Sequence, residues 1–258
     1  MKKIAILLLL MGILAACNTA APPENSSGEE NILDIAKTGL EGQEPMETII
    51  DWVDFIQWNG KHYVSLDSAV LADPDNIGEK AGEVQFNVAA NINSSSYQVK
   101  NGDAAFWDSG TELFHVKDTL DLLAVKDLSE VNGYRLYLSD SASDSYPHHF
   151  KDLELGAVNK IEIYDTLLYD EKSSPELLNE VNDERQVREF ISFLTGEHSP
   201  QDAVLEKNPG DPDMYAAVLY SDEELARKFY IYFEGGQWLW YPWDREFLPG
   251  EIELFIQP

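Results

Sequence analysis

Ile56-Gln57-Trp58-Asn59-Gly60-Lys61-His62-Tyr63-Val64 decides the fold class of this chain. Residues with strand preference flank Asn59-Gly60, the pair that best tolerates positive φ at both central positions of a type I′ turn, so the stretch encodes a β-hairpin. Strand-like alternation follows at Glu83-Val84-Gln85-Phe86-Asn87-Val88, which would place Val84, Phe86 and Val88 on one face. It continues over Thr111–Val116, Leu122–Lys126 and Tyr134–Leu138. Short strands at this spacing predict a small antiparallel β barrel or sandwich over residues 46–139. Gly78-Glu79-Lys80-Ala81-Gly82 has a faint look of a phosphate loop, but it leads into Glu83-Val84 in an acidic chain and reads as a turn before a strand.

Ser139-Asp140-Ser141-Ala142-Ser143-Asp144-Ser145 holds no apolar residue larger than alanine and reads as a domain boundary. Beyond it, residues 150–258 mix periods. Ile161 and Ile163 alternate with Glu162 and Tyr164 as in a strand. Val187, Phe190, Ile191 and Leu194 recur at i, i+3, i+4 and i+7, the stripe of an amphipathic helix, with Asn182 or Asp183 to cap it and Gly196 placed as its C′ glycine. Tyr215–Tyr220, Lys228–Phe233 and Gln237–Trp240 read as strands, with Gly235-Gly236 as the turn of a second hairpin. Glu251–Ile256 reads as a last strand. One main helix on an antiparallel sheet makes this half an α+β domain, so the whole chain is expected to be mainly β with an α+β second half.

Outward from these folded regions, residues 18–45 are poor in aromatics and rich in Ala, Pro, Glu, Ser and Gly, which cannot bury enough surface to offset ordering entropy. They read as a flexible tether with an r.m.s. span of about 30 Å if coil. Residues 1–17 read as a signal peptide: Met1-Lys2-Lys3, an apolar run from Ile4 to Leu14, then Ala15-Ala16-Cys17. The run spans about 16 Å as helix, too short for a bilayer core of about 30 Å. Leu14-Ala15-Ala16-Cys17 matches a lipobox, which makes Cys17 the expected lipidation site and the new first residue. Cys17 is the chain's single cysteine. Once lipidated it leaves no thiol for a disulfide, a zinc site or a nucleophile.

The net charge of −29 becomes −31 when Lys2 and Lys3 leave with the signal. Such a chain is repelled by nucleic acid, where affinity depends on Lys and Arg meeting phosphate, and by an anionic lipid surface. It suits an exported protein that meets cations or a basic partner. Catalytic strings are absent: no Gly-x-Ser-x-Gly elbow, no Ser-x-x-Lys pair, no His-Glu-x-x-His and no phosphate loop. His148-His149, with Asp144 and Asp152 nearby, has metal-ligand chemistry but reads as a solvated loop. The strings Asp73-Pro74-Asp75-Asn76 and Asp211-Pro212-Asp213 fail the spacing of a calcium-binding helix-loop-helix and read as turns. No metal and no cofactor is expected. With 47 acidic residues, nothing selects a catalytic carboxylate pair such as Asp244 and Glu246 over Asp51 and Asp54.

Trp238-Leu239-Trp240-Tyr241-Pro242-Trp243 is the most suggestive stretch of the second half. On a strand Trp238 and Trp240 share a face. They read as a roof over the α+β core against Phe190 and Phe193. The alternative is a binding platform of Trp238, Trp240 and Trp243 for sugar rings of a wall polymer or for an envelope protein.

The run Ile56-x-Trp58-Asn59-Gly60-x-x-Tyr63, then Ile77-Gly78-x-x-x-Gly82-Glu83-Val84, then Gly110-Thr111-x-Leu113-Phe114, resembles a small β domain of uncharacterised lipoproteins of Gram-positive bacteria. The resemblance covers about residues 50–138 and implies export and an extracytoplasmic fold. It implies no catalytic residue. The sequence therefore predicts a lipoprotein held on the extracytoplasmic face of the cell membrane through Cys17, with a non-enzymatic binding or interaction role at the envelope. The alternative is an envelope hydrolase acting on wall glycan or peptide through carboxylates.

Overall fold

Asn59 and Gly60 adopt φ of 48° and 75°, the two positive values that a type I′ turn requires. They close β1 (Phe55–Trp58) onto β2 (Lys61–Ser65), with Trp58 opposite Lys61. The structure is a computed structural model that describes residues 50–166, 174–196, 212–241 and 246–256. These fall within one compact unit, Thr48–Pro258. Among the described residues no helix is long and apolar enough to cross a membrane.

The molecule is mainly β. Strands β3 (Ala69–Leu71), β4 (Ile77–Glu83), β5 (Phe86–Asn87), β6 (Asp103–Ala104), β7 (Glu112–Val116), β8 (Thr119–Lys126) and β9 (Tyr134–Ser139) follow the first hairpin. With β3 set aside, they form a curled sheet in the order β4-β7-β8-β9-β2-β1-β6-β5. Every pairing in it is antiparallel except β5 with β6. The unbroken apolar run Leu122-Leu123-Ala124-Val125 is buried on both faces of the sheet. Leu122 and Ala124 pack into one core with Leu71, Leu136 and Leu138, while Leu123 and Val125 pack into another with Ile56, Leu113 and Tyr137. A strand buried on both faces needs apolar side chains at both parities.

The second sheet comprises β10 (Lys160–Asp165), β11 (Glu176–Val181), β12 (Asp213–Tyr220), β13 (Leu225–Glu234), β14 (Gln237–Tyr241) and β15 (Glu246–Phe247), in the order β11-β10-β12-β13-β14-β15. Gly235 and Gly236, with φ of 60° and 77°, turn β13 into β14 as Asn59-Gly60 do in the first hairpin. The main helix, Glu184–Thr195, lays Val187, Phe190 and Leu194 on the core with Ile161, Ile163, Leu219 and Ile231. Asp183 caps it by accepting from the backbone N–H groups of Arg185 and Gln186 at 3.2 and 3.1 Å, a contact that stabilises a helix by about 1 kcal/mol. β3 joins the two halves. It comes from the first region yet pairs with β13, Leu71 opposite Leu225 and Ala69 opposite Arg227.

Four local expectations give way. The alternation from Glu83 to Val88 is not one strand: β4 stops at Glu83, and Asn87 accepts from the Ala90 N–H at 3.0 Å to cap a single helical turn, Val88–Asn91. That side-chain bond offers the backbone an alternative to the ladder. Gly78–Gly82 is no turn but part of β4, whose register on β7 shifts twice. Gly196 ends the main helix with φ −60° and ψ 157°, so a left-handed glycine is not what stops it. Glu251–Ile256 is helical rather than extended, with a 3-10 turn at Gly250–Ile252 running into Glu253–Ile256. Ile252, Phe255 and Ile256 are buried there and Leu254 is 72% exposed. The strand reading rested on Ile252, Leu254 and Ile256; as a helix the segment instead buries Ile252, Phe255 and Ile256 at i, i+3 and i+4, and brings Phe255 edge-on to Phe190 and Phe193 at 5.5 and 5.9 Å. Strands β3, β6, β11 and β15 carried too little alternation to be read in advance.

Candidate functional site

Trp238 and Trp240 are 5% and 2% exposed. Trp238 packs on Tyr215 and Phe233 with centroids 5.7 and 4.7 Å apart, and Trp240 on Phe150 and Phe229 at 4.9 and 5.4 Å. They belong to the core that holds Phe190, with Phe193 against it, but their ring partners are the sheet's own aromatics and Phe150 rather than the helix. Trp243 and Cys17 lie outside the described residues. His149 Nδ1 accepts from the Lys151 N–H at 3.0 Å and caps a short 3-10 turn, while His148 Nε2 lies 3.2 Å from the Ser143 carbonyl. Asp73 Oδ1 accepts from the Asp75 N–H at 2.8 Å, a turn bond. Among the described residues no group of three or more His, Cys, Asp or Glu side chains is placed to hold a metal ion.

The arrangement with the most chemistry lies elsewhere, around Asp54, Arg135 and Tyr137 of the first sheet. Arg135 and Tyr137 stand two apart on β9 and so share a face. The Tyr137 ring enters the core with Ile56 and Leu123. Its hydroxyl donates to Asp54 at 2.9 and 3.1 Å, to Oδ2 and Oδ1, and accepts from Trp107 Nε1 at 2.5 Å. Asp54 immediately precedes β1. Arg135 Nη2 meets Asp127 Oδ2 at 2.9 Å and Glu130 at 3.6 Å, and its Nη1 lies 3.6 Å from Asp54. Asp127 in turn accepts from the Ser129 N–H and hydroxyl at 3.0 and 2.6 Å, which shapes the turn after β8. Glu130 carries the network into the second sheet, taking Lys228 Nζ at 2.6 Å.

Asp54, Phe106, Trp107, Asp127, Ser129 and Arg135 line a cleft of about 380 Å³. Burial pushes the Asp54 carboxyl above its ordinary range, against the hydrogen bond from Tyr137 and the charge of Arg135; Asp67 adds to the rise. Burial likewise drives the Tyr137 phenol up, helped by the Asp54 charge. Burial opposes the charge on Arg135, but Glu130 and Asp127 outweigh it and hold the guanidinium protonated. Phe106 and Trp107 are the aromatic residues of the cleft lining. Phe106 is 52% exposed, Leu128, between Asp127 and Ser129, is 58% exposed, and Val53, beside Asp54, is 66% exposed. Of these, Phe106 lines the cleft, while Leu128 and Val53 are chain neighbours of residues that do.

The chemistry open to the cleft follows from what is already engaged. Asp127 has separate donors on its two oxygens, Ser129 and Arg135, whereas Asp54 shares the single proton of the Tyr137 hydroxyl and has Arg135 only at 3.6 Å. What the cleft offers a visitor is apolar surface at its edge and negative charge within. Reading the sequence alone did not single out these residues. The signal was faint: Arg135 interrupts the strand Tyr134–Leu138 on the face that Tyr137 shares. Compared with known proteins, the chain matches no family model, no curated protein and no solved structure.

Proposed function

We propose that this protein is a lipoprotein anchored through Cys17 on the extracytoplasmic face of the membrane, where it binds a partner at the envelope and catalyses nothing. One observation carries the binding part: Phe106 stays 52% exposed on the lining of a cleft whose Trp107, Tyr137 and Ser129 donors are engaged within the protein, with exposed Leu128 next along the chain from Asp127. Exposed apolar residues at a pocket rim are what association can bury, and an aromatic anchor is the usual centre of such a contact. The anchor rests on residues 1–17 alone.

The test joins the two parts. The lipid-anchored protein is captured from its own envelope, alongside Phe106→Ala/Leu128→Ala and Cys17→Ser variants. The double variant should keep its melting temperature and lose the co-purifying partner. Cys17→Ser should block lipid attachment and lipoprotein processing, since an acyl chain contributes about 0.8 kcal/mol for each CH₂ it buries. Acylated, normally processed protein from Cys17→Ser would end the lipoprotein reading, and unchanged capture by the double variant would end the cleft's role.

The raised Asp54 pKa is the observation that favours the runner-up, a carboxylate hydrolase of wall glycan or peptide. Release of soluble fragments from purified wall, abolished by Asp54→Asn, would promote it.

A further inference from the structure

We infer that the cleft between Asp54 and Asp127 docks a protein segment that presents a lysine or arginine beside a large apolar side chain; this rests on the binding role proposed above and names the partner's chemistry. Three features of the site lead there. The first is charge. Asp54, Asp127 and Glu130 face Arg135 from β9 and Lys228 from β13, with Asp67 close enough to act on Asp54. Lys228 is spent on Glu130 at 2.6 Å, and Arg135 lies closer to Asp127, at 2.9 Å, than to Asp54, at 3.6 Å. Asp54 is therefore the least neutralised carboxylate of the cleft. In a chain of net charge −29, it favours an incoming cation and repels an anion.

The second feature is the apolar rim. Phe106, on the cleft lining, and the exposed Leu128, between the lining residues Asp127 and Ser129, offer a large side chain somewhere to bury, and the Phe106 ring can also sit against an ammonium or guanidinium. The third is the saturation of the polar floor. Trp107 Nε1, the Tyr137 hydroxyl and the Ser129 hydroxyl are all consumed internally. A neutral sugar, recognised through directional hydrogen bonds from its hydroxyls, would find few partners there, and an anionic lipid surface would be repelled. A cation paired with an apolar group satisfies both charge and rim.

The experiment uses the full-length protein in detergent micelles and fluorescein-labelled peptides with cores Lys-Trp-Lys, Glu-Trp-Glu and Lys-Gly-Lys, read by fluorescence anisotropy. The Lys-Trp-Lys peptide should bind saturably, weaken by about tenfold or more in Phe106→Ala and in Leu128→Ala, as loss of an anchor does, and weaken again as salt rises toward about 0.5 M. The other two peptides should bind at least about tenfold more weakly. Equal binding of Glu-Trp-Glu or of Lys-Gly-Lys overturns the inference. So does Lys-Trp-Lys binding that both substitutions leave untouched, or no saturable binding at all. If the peptides fail while envelope capture still depends on Phe106 and Leu128, the partner's chemistry is wrong and the binding role stands. If capture is indifferent as well, both fall.

Discussion

Replacing Trp240 by alanine tests the placement of the aromatic stretch most directly. Trp240 lies on β14 opposite Ile231 of β13 and Glu246 of β15, is 2% exposed, and meets Phe150 and Phe229 at 4.9 and 5.4 Å. The indole is held on two sides by rings and on two by strands, so neighbours cannot collapse into the space it leaves. Large-to-small aromatic substitutions in such cores cost about 3–5 kcal/mol. For a folded unit of this size each kcal/mol moves the melting temperature by about 2–4 °C, which puts the fall near 6–20 °C. Urea unfolding followed by far-ultraviolet circular dichroism gives the free energy, provided the slope with denaturant is unchanged. Phe106→Ala is the exposed control and should stay within about 0.5 kcal/mol of the parent. A Trp240→Ala protein within about 1 kcal/mol of the parent would refute the reasoning. If it also lost retention on cell-wall material, the tryptophans would return as a display platform.

Gly82→Ala should destabilise by about 1–3 kcal/mol by overpacking, because an added Cβ would fall within the Trp58 ring; an unchanged urea midpoint would show that the indole swings aside freely. Glu162 is buried on β10, where Lys160, Tyr164 and Tyr220 donate to it at 2.7, 2.6 and 2.5 Å. Burial alone would raise its pKa, but these bonds outweigh it and hold the carboxyl below its ordinary 4.5. A carboxyl with a lowered folded pKa stabilises at neutral pH and loses that contribution as pH falls from about 4.5 through the folded value. Glu162→Gln should therefore be less stable than the parent at pH 7 by about 1–3 kcal/mol and flatter below pH 4.5; parallel stability-versus-pH curves would contradict this. A fragment of residues 150–258 loses β3, leaving the Leu225–Arg227 edge and the buried Lys228 without their partners. It should melt below the intact chain and self-associate in sedimentation, as an open edge and an unpaired buried charge predict. A monomeric fragment with the parent melting temperature would show that the second sheet stands alone.

How much was legible follows the range of each interaction. Asn59-Gly60 and Gly235-Gly236 declare their turns because positive φ is a property of two adjacent residues. Val187, Phe190 and Leu194 declare their helix because its apolar face repeats within one element. The mainly β class, the α+β second half and the inward packing of Trp238 and Trp240 all came from such local pattern. Tertiary structure decided the rest. Glu251–Ile256 is as regular read as strand or as helix, and the place left beside Phe190 and Phe193 chose between them. Ala69–Leu71 is too short to declare itself, and only pairing with Leu225–Arg227 makes it a strand that ties one sheet to the other. The cleft is the clearest case: Asp54, Phe106, Trp107, Asp127 and Arg135 come from separate loops and one strand. Local pattern records which way a side chain points along its own element. Only the assembly of the curled sheet determines which distant side chains it will meet.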